Sequence, residues 1–252
     1  MPSLTEVIQY NRSTLADIDS FILTEDYNSS PDNYGLPPNV QHLIDLPLNK
    51  ELTYVDILMY LQQKFDLDQI TYVEIGVSVL KTFFQVSNFL TNSKLYAFDI
   101  NNINPTIAKR FIEVSCNDTV RKYKYNTNSI TYFKGDVFKE EDFLSFKNEI
   151  NGKANIVFSD AHHTGSGLLS EYNNYIKDAL SEDFILYYDD LQNQDMQKVF
   201  VEISKDLKSQ YTNVTSAFLV VNGWLGQHEF AHLNGIVTSL DLRSTFPGMQ
   251  YI

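Results

Sequence analysis

A single cysteine, Cys116, occurs in the whole sequence, which excludes an internal disulfide framework and a cysteine-based zinc site. Basic residues are scarce: 19 Lys and Arg face 32 Asp and Glu, a net charge of −13. A phosphate backbone needs a positive surface, so general nucleic-acid binding is not expected. No apolar run reaches the roughly 18–20 residues that a membrane span needs, so no membrane partner is expected either. The first residues, MPSLTEVIQYNRS, lack the basic-then-apolar layout of a secretory signal, and a cytoplasmic location is the expectation. There is no internal repeat and no long low-complexity tract. What is present is apolar: 43% hydrophobic against 20% charged over 252 residues, enough for the core of one large domain.

Residues 1–24 carry a loose helical pattern (Leu4, Val7, Ile8, Leu15, Ile18) that runs into the turn-forming cluster between Asp26 and Gly35 and then Pro37-Pro38. That cluster separates an N-terminal extension, residues 1–50, from the domain of residues 51–252, and residues 26–40 are expected to act as a lid. Beyond it, short apolar runs alternate with longer amphipathic stretches. Strands are expected at Ile70–Ile75, Leu95–Asp99, Ile130–Phe133, Ala154–Phe158 and Phe184–Tyr188. Helices are expected near 79–90, 106–114, 140–149, 168–180 and 196–210. Two final β-rich stretches, near 215–224 and 233–240, suggest an antiparallel hairpin at one edge. Strands alternating with helices imply a parallel sheet covered on both faces, whose ligands bind beyond the carboxyl ends of the strands.

Those five ends carry Glu74 and Gly76, Asp99, Gly135-Asp136, Asp160, and Asp189-Asp190. Turns are rich in Gly and Asp, and that covers any one of them. It covers the set less well, because Glu74 lies inside an apolar strand and Asp189-Asp190 directly follows Phe-Ile-Leu-Tyr-Tyr. Gly76 would let a ligand approach the backbone. Asp99, one strand over, could accept hydrogen bonds from a ribose diol. Asp160, Asp189 and Asp190 offer three hard oxygen donors, a set that suits Mg²⁺ or a similar divalent cation.

With these parts in this order the sequence resembles class I S-adenosylmethionine-dependent methyltransferases, and within them the metal-dependent O-methyltransferases of the catechol and macrocin/mycinamicin sugar type. Val73-Glu-Ile-Gly76 is similar to the first cofactor motif and Leu95–Asp99 to the second, while Phe158-Ser-Asp160-Ala-His-His163 and Ile185–Asp190 are similar to the metal-binding pair. The resemblance covers about residues 52–240. It implies an α/β fold: a Rossmann-like, doubly wound sheet of seven strands, mostly parallel with an antiparallel last strand, plus the N-terminal helical extension. It further implies that Glu74, Gly76, Ser78, Thr82, Asp99, Asp136 and Asp160 bind S-adenosylmethionine, and that Asp160, Asp189 and Asp190 hold Mg²⁺. The implied reaction is Mg²⁺-dependent methyl transfer to a hydroxyl of a sugar or other small polar acceptor, with Asp160 and His163 catalytic. His163, three residues beyond Asp160, is the expected general base, since an unperturbed imidazole accepts a proton at neutral pH. A homo-oligomer is left open.

Two alternatives stand beside this. The family's first motif has a second glycine where this chain has Leu80, which would suit a catalytically inactive binding protein of the same fold. His228-Glu229-Phe-Ala-His232 matches the zinc-hydrolase motif, in which two His share a helix face and the Glu activates water. The strand-like residues on both sides instead favour a hairpin or its connection. Gly165-Ser-Gly167 could cradle a phosphate at the start of a helix.

Overall fold

The structure is a computed structural model that describes residues 1–14, 51–78, 80–150, 152–222 and 231–252. Helix α1 covers residues 4–14, and the expected lid of residues 26–40 lies outside the described residues. In chain order there follow α2 (Tyr54–Gln62), β1 (Thr71–Ile75), α3 (Lys81–Phe89), β2 (Lys94–Asp99), α4 (Pro105–Ala108), β3 (Ile112–Cys116), β4 (Val120–Tyr125) and β5 (Asn128–Lys134). Then come α5 (Glu140–Glu149), β6 (Ala154–Ser159), α6 (Gly165–Glu171), a π-helical turn at Tyr172–Ile176, α7 (Lys177–Ala179), β7 (Leu180–Tyr188), α8 (Gln194–Gln210), β8 (Thr215–Asn222), β9 (Ala231–Thr238) and β10 (Gln250–Tyr251).

All strands join one sheet in the order β10-β8-β9-β7-β6-β1-β2-β5-β4-β3. The centre, β5-β2-β1-β6-β7, is parallel. It is buried on both faces, which is why its strands read as near-continuous apolar runs rather than alternating ones. On one face Tyr72, Phe158, Tyr187 and Ile236 pack with Tyr54 of α2 and Phe83 of α3. On the other, Val73, Phe98, Val157 and Leu186 pack with Phe143 and Phe146 of α5 and with Met196, Phe200 and Ile203 of α8. The three- and four-residue spacing along α8 builds one apolar face for this purpose.

Among the described residues the sheet has ten strands, not the expected seven. Residues 106–114 do not form one helix: α4 stops at Ala108, and residues 112–116 are strand β3. Asn117 Oδ1 accepts the N–H groups of Thr119 and Val120 at 2.9 and 2.6 Å, an Asx turn that folds β3 back on β4. This hairpin extends one edge of the sheet, and β10 extends the other. The expected antiparallel element is present: β9 runs antiparallel between β7 and β8.

The described part of the N-terminal extension is fastened to the domain by charge. Thr53 and Asp56 form a reciprocal capping box on α2. Asp56, fully buried, also accepts from Asn11 at 2.6 Å and pairs with Arg12 at 2.8 Å.

Candidate active site

The strand ends are stitched together by backbone hydrogen bonds: Gly76 to Phe98, Gly135 to Asp99, and Asp160 to Ile75, each at 2.8 Å, and Asp189 to Ser159 at 3.0 Å. Neighbouring strands therefore finish level, and their terminal residues share one rim. Two adjoining features occupy it, a cavity and a cluster of carboxylates and imidazoles.

The cavity, about 400 Å³, is lined by Gly76, Ser78, Phe98–Asn101, Gly135–Phe138 and Asp160–His162. It is of the size of small-molecule sites, with apolar walls and a few convergent polar groups. Of the expected cofactor residues, Gly76, Ser78, Asp99, Asp136 and Asp160 line it, whereas Glu74 and Thr82 do not. Glu74 accepts the Tyr72 hydroxyl at 2.5 Å inside the core, and burial raises its pKa well above the usual range. The Thr82 hydroxyl lies 3.3 Å from that of Tyr54.

Asp99 is partly committed: Oδ2 accepts from Val77 and Ser78 at 2.9 and 3.0 Å, and Oδ1 from Asn101 at 2.9 Å. A carboxylate has about four lone-pair positions, so room for a ribose hydroxyl remains while the other bonds pin the loop after β1. Gly76 serves packing as well as lining the cavity. With φ +83°, it would place a Cβ 2.5 Å from the backbone of Asp160 and Ala161, so it permits β1 and the segment after β6 to touch. Leu80 takes the left-handed conformation, φ 68°, that a glycine would adopt freely, and its side chain is buried in the core away from the cavity. Gly165 and Gly167 likewise serve packing: a Cβ there would strike Asp195 and the carbonyl of His162.

Beside the cavity, His163 lies between two acids, Nε2 3.1 Å from Asp160 Oδ1 and Nδ1 3.2 Å from Asp190 Oδ2. Asp190 Oδ1 is 3.3 Å from Nδ1 of His232, which arrives from β9. Hydrogen bonding to the carboxylates of Asp160 and Asp190 raises the His163 pKa to about 10, and the two imidazoles hold Asp190 well below the usual carboxylate range. Burial pulls His232 downward, but the Asp190 bond and the surrounding carboxylates outweigh it and leave it raised. Asp160 and Asp189 are raised by burial. Two buried atoms here lack a partner, Asp189 Oδ1 and His232 Nε2.

This geometry bears on two expectations. Both ring nitrogens of His163 face carboxylates, so it is not poised as a base. His232, for which the sequence favours a hairpin over a zinc motif, also joins the site. It sits on a strand, not on the helix that motif needs, and His228 and Glu229 lie outside the described residues. Among the described residues no group of three or more His, Cys, Asp and Glu is disposed to hold a metal ion. No described helix is long and apolar enough to cross a membrane.

No family model matches the chain, and no curated protein matches it by sequence. Solved structures do. The O-methyltransferase from Bacillus cereus, in complex with SAH, aligns over 90% of both chains with a TM-score of 0.54 at 10% identity. A putative caffeoyl-CoA O-methyltransferase from Staphylococcus aureus aligns over 90% of this chain and 98% of its own, with a TM-score of 0.49 at 14% identity. At 10% identity the first likeness is one of fold: the chain shares a Rossmann-like α/β sheet with that structure.

Proposed function

We propose that this protein is an enzyme that transfers a methyl group from S-adenosylmethionine to a hydroxyl of a small polar acceptor, a sugar among the candidates. The observation that carries the reading is the rim cavity, in which Asp99, Asp136 and the segment after Asp160 converge beside unpartnered acid–base groups. The residues present fit a nucleoside cofactor. Phe138 and Val137 offer apolar surface for a base, Asp136 a polar edge, and Asp99 an acceptor for a ribose hydroxyl. Bound there, S-adenosylmethionine would supply an electrophilic methyl group.

The chain's own contribution is then to orient the acceptor and take its proton. Asp190 holds the Nδ1–H tautomer of His232 through their 3.3 Å contact, which leaves the Nε2 lone pair free, the logic of an acid–histidine pair. Nε2 is the buried atom with no partner, and we assign it the proton of the acceptor hydroxyl. Alignment of acceptor and methyl group supplies much of the rate, and the base roughly 10²–10⁴-fold more. The Mg²⁺ expected from the sequence does not fit: His163 stands between Asp160 and Asp190, where the ion would be held. No step is therefore routed through a metal.

A non-catalytic binding protein was suggested by Leu80, but its side chain is packed in the core and does not enter the cavity. Calorimetric titration with S-adenosylmethionine and S-adenosylhomocysteine tests the cofactor, and labelled methyl transfer to a panel of sugars and phenols tests the reaction. Absence of heat with either ligand would remove the proposal.

A further inference from the structure

We infer that the rim supplies its own cation: the His163 side chain, clamped between Asp160 and Asp190, takes the place a divalent ion would fill, and the site works without metal. Three carboxylates, Asp160, Asp189 and Asp190, end adjacent strands of one sheet. Close carboxylates need a counter-charge, and a divalent cation is the usual remedy for such a set of hard oxygens.

Here the remedy is made of side chains. Each nitrogen of the His163 ring meets an oxygen of a different carboxylate, at 3.1 and 3.2 Å. A neutral imidazole has one donor and one acceptor, so carboxylates on both sides favour the doubly protonated ring. His232 engages the remaining Asp190 oxygen, so both oxygens of Asp190 already have a partner. One oxygen of Asp160 is taken in the same way. On the third acid, Asp189, Oδ1 is buried and has no partner. A cation shared by Asp160 and Asp190 would have to expel the His163 ring and break both of its contacts. The two histidines thus have separate roles, with His163 neutralising the rim while His232 keeps one nitrogen open.

Metal exclusion is a property of these residues and is tested without an acceptor; the consequence for methyl transfer rests on the reading above. Mn²⁺ is added to the intact wild-type protein and free ion is followed by its six-line electron paramagnetic resonance signal, with Mg²⁺ titrated by calorimetry in parallel. The wild type should leave the signal undiminished at millimolar Mn²⁺. His163→Ala, and His163→Asn as the variant that keeps a polar side chain, should each bind one ion per chain, tighter than wild type by roughly tenfold or more, because Asp160 and one oxygen of Asp190 then lose their partner. One ion per wild-type chain, lost in Asp160→Asn, would overturn the inference. So would two folded His163 variants, verified by circular dichroism, that bind no more ion than wild type. S-adenosylmethionine affinity measured on the same samples keeps the two claims apart, since its absence would sink the functional reading and leave the metal result standing.

Discussion

Glu171 lies beneath the rim and allows a calculation. It is completely buried, with one oxygen accepting the Ser159 hydroxyl at 2.5 Å and the other without a partner. Burial raises its pKa from 4.5 to about 8. The folded protein therefore keeps a proton that the unfolded chain releases. The stabilisation is complete below about pH 4.5 and is lost as pH rises through about 8. At about 1.36 kcal/mol per pH unit, the interval from pH 4.5 to pH 7 removes about 3 kcal/mol. Glu171→Gln keeps the size and the acceptor for Ser159 and cannot ionise. Its amide brings two buried N–H donors where a protonated Glu171 has one O–H, so the variant should be the less stable protein in mild acid. Between pH 4.5 and pH 7 it should gain about 3 kcal/mol on the wild type, and more by pH 8. Urea denaturation at a series of pH values, with constant m-values, measures the gap. A gap that does not change with pH would show that Glu171 is not buried as an acid, and the account of the β6 end would fail with it.

Asp99→Asn removes the charge that pins the loop after β1. It should weaken S-adenosylmethionine binding by roughly 10- to 100-fold, read by calorimetry, if charged hydrogen bonds at that carboxylate are worth about 1.5–3 kcal/mol. Gly76→Ala should lower the melting temperature sharply or prevent folding, because its Cβ would lie 2.5 Å from neighbouring backbone. His232→Gln should leave cofactor affinity unchanged and slow methyl transfer by about 10²–10⁴-fold in a labelled-methyl assay; an unimpaired rate would move the base elsewhere. Asp56→Ala strips the Arg12 guanidinium of a buried partner and should cost about 3–5 kcal/mol, with α1 becoming the first site of limited proteolysis.

Periodicity revealed the parallel centre of the fold because buried parallel strands are continuous apolar runs bounded by turn residues. It failed for β3 and β4. Ile112 and Val114 are exposed on an edge hairpin, so no core face imposes a burial pattern there. The run Arg121-Lys122-Tyr123-Lys124 buries only its tyrosine within β4, and charge alone gives it the look of a loop or helix face. β10 was hidden for another reason: two residues are too few for any period.

The candidate site was legible where a residue's role depends on its own strand end, and illegible where it depends on which strand lies next door. Asp99, Asp136 and Asp160 follow strands that the pattern identifies, and they do line the cavity. Glu74 and Thr82 sit at matching motif positions but face the core, which spacing cannot distinguish. His232 is the instructive case. It lies 42 residues from Asp190 in sequence, and it reaches that carboxylate only because β9 is inserted antiparallel between β7 and β8. The same insertion gives Asp190 a second histidine partner beside His163. The chemistry of the rim therefore follows from strand order: acids placed by the parallel strands acquire their histidine partners from the loop after β6 and from β9, which runs antiparallel to β7.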